Sequence, residues 1–122
     1  MARKTVDFDT VREFARAIPG VVESTAYGSP AIKINGKLVA CLAIHRSAEP
    51  GTLAVRVSFE DRAELLEADP QTYYLTDHYV NYPSVLVRLS RIQTDTLRDL
   101  LRMAVRFVTA EGTKKLPKRR AR

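Results

Sequence analysis

The chain has 122 residues, 45% of them hydrophobic and 28% charged, which is the size and composition of a single domain with one core. Its single cysteine, Cys41, excludes an internal disulfide and a metal site built from cysteines. No signal peptide and no apolar run of about 18 residues is visible. The sequence therefore predicts a cytoplasmic protein without a membrane partner.

The net charge of +6 is concentrated at the C-terminus. All 14 acidic residues precede Thr113, whereas the last ten residues carry six of the 20 basic ones: Lys114, Lys115, Lys118, Arg119, Arg120 and Arg122. Residues 1–112 are then neutral as a whole. This pattern predicts one domain over residues 1–112 and a basic, disordered tail over residues 113–122, suited to weak attraction of a polyanion.

The first elements are a helix and a series of strands. Asp9 or Thr10 is expected to cap the helix, and Pro19-Gly20 ends it. Asn35-Gly36 is a strong hairpin signal, and Gly28-Ser29-Pro30 separates the two apolar runs before it. The predicted strands are Ser24–Tyr27, Ala31–Ile34, Lys37–Ile44 and Leu53–Ser58.

The second half of the chain again combines helices and strands. A short helix over Glu60–Ala68, capped by Ser58, precedes strands at Tyr73–Leu75 and Ser84–Ile92. Thr94 or Asp95 should cap a last and longest helix, whose apolar stripe consists of Leu97, Leu100, Leu101, Ala104, Val105 and Val108. The order of elements predicts an α+β fold: an antiparallel sheet of about five to six strands with helices packed on one face, and N-terminal and C-terminal helices flanking the strands.

Four patterns of turns and hydrophobic residues are distinctive: Ile18-Pro19-Gly20-Val21, Gly28-Ser29-Pro30, Ile34-Asn35-Gly36-Lys37, and Thr76-Asp77-His78-Tyr79 through Tyr82-Pro83 to Val87-Arg88-Leu89. Together they resemble the MmcQ/YjbR family. The resemblance covers roughly residues 8–108. It implies a compact domain with a helix-covered antiparallel sheet, and it implies DNA binding, the usual description of this family.

The alternation of strand side chains predicts two different sheet faces. Leu38, Ala40, Leu42 and Ile44 should face the helices together with Leu53, Val55 and Val57. The opposite face would carry small apolar and basic residues: Lys33, Lys37, Val39, Cys41, Ala43, Arg56 and Arg88. Such a face suits a solvated surface, contact with nucleic-acid phosphates, or a protein or small-ligand partner.

The tyrosine-rich turn admits two interpretations. Tyr79 and Tyr82 could stack on bases or line a pocket beside His78, or the tyrosines could simply pack over a sheet edge. No nucleophile with a base, phosphate loop or set of metal ligands is apparent, so no catalytic residue, metal or cofactor is predicted. The sequence thus favours a non-enzymatic, monomeric DNA-binding protein. Its DNA contacts would come from the sheet face and the tail: Lys33, Lys37, Arg56, Arg88, Lys114, Lys115, Lys118, Arg119 and Arg120. The alternative is a module that binds a protein or small ligand on the same face.

Overall fold

The computed structural model describes residues 6–114, with the side chains of residues 6–110. The helices are Phe8–Arg16 (α1), Phe59–Ala68 (α2) and Thr94–Lys114 (α3). The strands are Val21–Ala26 (β1), Ser29–Ile34 (β2), Lys37–Leu42 (β3), Thr52–Arg56 (β4), Tyr73–Tyr74 (β5) and Ser84–Arg88 (β6). The predicted α+β class is confirmed. α3 continues past Gly112 to Lys114, and the predicted tail from residue 115 onward lies outside the described residues.

The six strands form one sheet in the order β1-β2-β3-β4-β6-β5, with every neighbouring pair antiparallel. Asn35 and Gly36 both have positive φ, at 52° and 78°, so the predicted hairpin between β2 and β3 is confirmed. The turn between β1 and β2 is Tyr27-Gly28 instead of Gly28-Ser29-Pro30. Ser29 and Pro30 already belong to β2, where they pair with Ala26 and Thr25.

The helix starts differ from prediction at two of three places. Asp7 caps α1: its carboxylate accepts a hydrogen bond from the Thr10 N–H at 3.2 Å, and the Thr10 hydroxyl accepts one from the Asp7 N–H at 3.3 Å. Thr10 is therefore the return partner of the cap, and the prediction of Asp9 or Thr10 as cap is wrong. Ser58 caps α2 as predicted, accepting from the Asp61 N–H at 3.0 Å. Thr94 and Asp95 lie within the first turn of α3, because this helix begins at Thr94.

The core lies between the sheet and the helices. Leu97, Leu101, Ala104 and Val108 of α3 are at most 2% exposed and belong to the same core cluster as the strand residues Ile32, Val55 and Val87. This confirms the predicted docking of α3 through those four residues. α1 joins the same cluster through Val11, whereas α2 contributes only partly buried side chains, Leu65 and Leu66.

A β-bulge in β3 reverses part of the predicted face assignment. The partner on β3 changes from Ala40 to Leu38 between Ile32 and Lys33, so Val39 is an extra residue. Val39 is fully buried in the helix-side core, Leu38 packs on the opposite side of the sheet, and Lys37 pairs with the core residue Ile34. The faces predicted for Lys37, Leu38 and Val39 were wrong, because the extra residue interrupts the alternation.

Candidate ligand-binding cavity on the open sheet face

The helix-free face of the sheet, called the open face below, has small side chains at its centre. One row of paired residues crosses all six strands: Ser24, Ala31, Cys41, Ala54, Leu86 and Tyr74. Four of these, Ala31, Cys41, Ala54 and Leu86, form a second buried cluster separate from the helix-side core. Alanine and cysteine leave a shallow depression where larger residues would fill the surface.

Two loops rise beside this depression. The β3–β4 loop comprises residues 43–51 and the β5–β6 loop residues 75–83. The Tyr74 hydroxyl anchors the first loop to the sheet: it accepts a hydrogen bond from the Glu49 N–H at 2.8 Å and lies 2.6 Å from the Thr52 hydroxyl. Ala43, predicted to face away from the helices, packs against the open-face cluster as expected.

The two loops meet at a pair of stacked histidines. The rings of His45 and His78 lie 3.6 Å apart between centroids and 9° from parallel. Below them, the Ser47 hydroxyl lies 2.8 Å from both the His45 Nδ1 and the Thr76 Oγ1. The Ser47 N–H also donates to Nδ1 at 3.1 Å, so the proton of the neutral His45 ring is on Nε2. Burial lowers the pKa of His45, and the nearby His78 and Arg46 lower it further.

The ring of Tyr79 lies beside the stack and nearly perpendicular to both histidine rings, with centroids 4.8 Å from His78 and 6.3 Å from His45. Burial raises the pKa of the Tyr79 hydroxyl, and the neighbouring Cys41 raises it further. Burial likewise raises the pKa of Cys41. Both groups are thereby held in their neutral forms near pH 7, so this wall of the site carries no negative charge of its own.

The depression and the loops enclose a cavity of about 490 Å³, within the range of small-molecule sites. The three residues that the sequence suggested for a pocket, His78, Tyr79 and Tyr82, all line it. It is lined in addition by Tyr27, Leu38, Cys41, Leu42, Ile44, His45, Ala54, Arg56 and Ser84. Tyr27 and Tyr82 are 84% and 55% exposed, so their rings stand largely in solvent beside the cavity.

Arg88 lies on the open face, as predicted, and is held there by a network of contacts. Its guanidinium donates to both Glu49 carboxylate oxygens, at 3.0 and 2.9 Å, and to the Gln71 carbonyl at 2.9 Å. It also lies 4.2 Å above the ring of Tyr74. The hydrogen bond from Arg88 lowers the pKa of Glu49. Arg88 thus ties the β3–β4 loop to β5 and β6.

The other predicted DNA-contacting residues lie at different places. Arg56 lines the cavity, and Lys33 lies on the open face in the row that also holds Leu38. Lys37 lies on the helix side, at the start of β3. Lys114 is the final described residue of α3, and Lys115, Lys118, Arg119 and Arg120 lie outside the described residues.

Several cavity residues escaped the sequence analysis, among them Ile44, His45 and Tyr27. Ile44 was assigned to the helix-facing side, yet it is 63% exposed and lines the cavity, because β3 ends at Leu42. His45 had no partner in sequence, since His78 is far away along the chain. Tyr27 was assigned to the end of a strand, and only the structure shows that it occupies a turn position with positive φ.

Between residues 6 and 114, no three His, Cys, Asp or Glu side chains are grouped so that they could hold a metal ion. In the same part of the chain, no helix combines the length and the hydrophobicity that crossing a membrane requires.

Comparison with known proteins places the chain beside one family. The family model described as YjbR matches residues 16–106. The crystal structure of the Deinococcus radiodurans protein DR2400, which has a DUF419 domain, superposes with a TM-score of 0.73 at 23% sequence identity, covering 92% of this chain and 85% of that one. This likeness is one of fold. No curated protein matches the chain.

Proposed function

This chain belongs to the YjbR family, and on that premise we propose that it binds DNA without catalysis, through the open face of its sheet, with the basic tail adding attraction that is independent of sequence. The observation that carries the proposal is the separation of charge between the two sides of the sheet. All carboxylates of residues 6–110 except Glu49 and Asp77 lie on helices, at helix ends or, as Glu23, beside α1.

The open face and its loops have the opposite balance. Their cations are Lys33, Arg46, Arg56 and Arg88, against the two carboxylates Glu49 and Asp77. Arg88 already neutralises Glu49. The rest of residues 6–110 carries eight cations against eleven carboxylates, so the open face, with four cations against two carboxylates, is the side better suited to phosphate.

The roles of the cations differ in this proposal. Arg56, inside the cavity, and Lys33, in a neighbouring row, are the open-face phosphate contacts. Arg88 acts through Glu49 by positioning the β3–β4 loop. Lys37, on the helix side, takes no part at this face. The tail cations, from Lys114 onward, supply long-range attraction.

The absence of catalysis is part of the proposal. The Cys41 thiol has a raised pKa, which disfavours the thiolate that a nucleophile requires. Ser47 lies beside His45, but the Nδ1 lone pair that could take its proton is shared with the Ser47 N–H. The other hydrogen-bond partner of the Ser47 hydroxyl is the Thr76 hydroxyl, which is not a base.

A second candidate function rests on exposed apolar side chains. Val22 and Ile44 are 57% and 63% exposed; Val22 pairs with Lys33 on the open face, and Ile44 lines the cavity. A protein partner or an apolar small ligand would cover such groups. Salt separates the two functions, because phosphate binding weakens steeply as salt rises, whereas apolar docking persists.

The test is a fluorescence-polarisation titration of the full chain with labelled DNA at two salt concentrations. We expect affinity to fall with salt, and a chain truncated after Lys114 to lose most of it. If the six tail cations act alone on duplex DNA, the slope of log K against log salt should be no steeper than roughly −5.

Substitutions on the two sides of the sheet provide the matched comparison. Lys33→Ala with Arg56→Ala should weaken binding further, whereas Arg102→Ala with Arg106→Ala, on exposed positions of α3, should leave it unchanged. Binding that is insensitive to salt, or lost equally in both double variants, would contradict the proposal.

A further inference from the structure

Tyr27 occupies a backbone conformation that its side chain disfavours. It has φ of 56° and is followed by Gly28 at 77°, so both central residues of the β1–β2 turn have positive φ. A tyrosine rarely adopts this conformation, which is tolerated mainly by glycine, asparagine and aspartate. The β2–β3 turn of the same chain uses the favoured pair, Asn35-Gly36, at nearly the same angles.

Packing does not explain the tyrosine. Its side chain is 84% exposed, more than any other large hydrophobic residue of the described chain. The turn would therefore keep its shape, with less strain, if asparagine replaced Tyr27. A strained residue without a structural benefit is typical of a functional position.

The location of Tyr27 beside the cavity indicates that it contacts a ligand there. It lines the cavity, as does the 55% exposed Tyr82 of the β5–β6 loop. Arg56 and Ser84 supply polar groups in the same cavity. A ligand that fits this combination is flat, aromatic and linked to an anion.

We infer that the cavity receives one unstacked nucleobase, with Tyr27 and Tyr82 providing stacking surfaces and Arg56 the contact to its phosphate. Paired bases in a duplex are stacked inside and present only their edges, so the ligand is a single-stranded nucleic acid or a free nucleotide. The inference rests on the proposed function and narrows it from DNA in general to an unpaired base.

The experiment compares four probes on the full chain at low salt: an oligothymidylate of about eight nucleotides, a size typical of such sites, an abasic strand with the same backbone, a G·C-rich duplex long enough to stay paired at low salt, and thymidine monophosphate. We expect the oligothymidylate to bind about 5- to 160-fold more tightly than the abasic strand, since stacking of one base on an aromatic ring has that effect.

Two substitutions then test Tyr27 itself. Tyr27→Asn should weaken oligothymidylate binding by part of this factor, because Tyr82 still stacks on the base, with a melting temperature that is unchanged or higher, because asparagine suits the turn. Tyr27→Phe keeps the ring and should bind like the unaltered chain. A purely structural role for Tyr27 predicts the reverse for asparagine, a lower melting temperature and unchanged affinity.

The outcomes separate the inference from the function on which it rests. Equal binding of the oligothymidylate, the abasic strand and the duplex overturns the base pocket but leaves phosphate binding intact. No binding to any probe overturns both. Thymidine monophosphate that binds as tightly as the strand supports the base pocket and identifies the free nucleotide as its source, which removes the case for DNA.

Discussion

The two faces of the sheet differ in the size of their central side chains and in what covers them. On the helix side, Ile32, Val55 and Val87 are fully buried and branched, and they fill the space beneath α1 and α3. At the centre of the open face, Ala31, Cys41 and Ala54 are buried by loops and neighbouring side chains, and no helix covers them. Large residues maximise stability on one side, whereas small residues on the other leave a cavity. Stability and binding should therefore respond to substitutions on different faces.

Leu101→Ala should give the largest effect on stability. Leu101 is fully buried in the helix-side core, so its truncation should lower the free energy of unfolding by about 2–5 kcal/mol. Chemical denaturation followed by circular dichroism measures this. The neighbouring exposed residue provides a control, since Arg102→Ala should change stability by less than about 0.5 kcal/mol. An equal effect of the two substitutions would mean that Leu101 is not part of the helix-side core.

Arg88→Ala should give an intermediate effect on the open face. The side chain of Arg88 is 25% exposed and its ion pair with Glu49 is partly solvated, so we expect a loss of about 1 kcal/mol. Arg88→Lys keeps the charge but not the bidentate hydrogen bonds to Glu49, and should recover only part of the lost stability. Denaturant midpoints of the three proteins provide the measurement; full recovery by lysine would show that charge alone matters.

The smallest expected effect concerns pH and the histidine pair. Folding lowers the pKa of His45, so the folded chain binds fewer protons there than the unfolded chain, whose His45 titrates near about 6.5. Stability from this group is complete above that value and declines as the pH falls below it. Melting temperatures at pH 8 and pH 5.5 should differ more for the unaltered chain than for His45→Gln. Identical differences would mean that the stack does not respond to protonation.

Local signals in the sequence were enough to predict one hairpin turn, one helix cap and the buried stripe of α3. Asn35-Gly36 defined a hairpin, Ser58 a helix cap, and the spacing of Leu97 and Leu101 the buried stripe of α3, because each depends on residues close in sequence. The Val39 bulge could not be predicted in this way. Nothing in the alternation around it indicates an extra residue, and its position depends on pairing with β2.

The candidate site was predicted only in part. The tyrosine-rich turn identified His78, Tyr79 and Tyr82, since they are adjacent in sequence. The stack of His78 on His45 requires two loops, 33 residues apart, to meet above the sheet, and no local pattern encodes that meeting. The tail prediction depends on residues beyond Lys114, and it remains a prediction.

One contact crosses from the helix layer to the cavity wall. Arg62 of α2 donates a hydrogen bond to the carbonyl of Tyr82 at 2.9 Å and lies 3.3 Å from that of Ser84, at the end of the β5–β6 loop. α2 itself has no fully buried residue. A helix without a buried residue is expected to open locally at a lower free energy than global unfolding. In such an opening the carbonyls of Tyr82 and Ser84 would lose the hydrogen bonds from Arg62 that support this wall of the cavity.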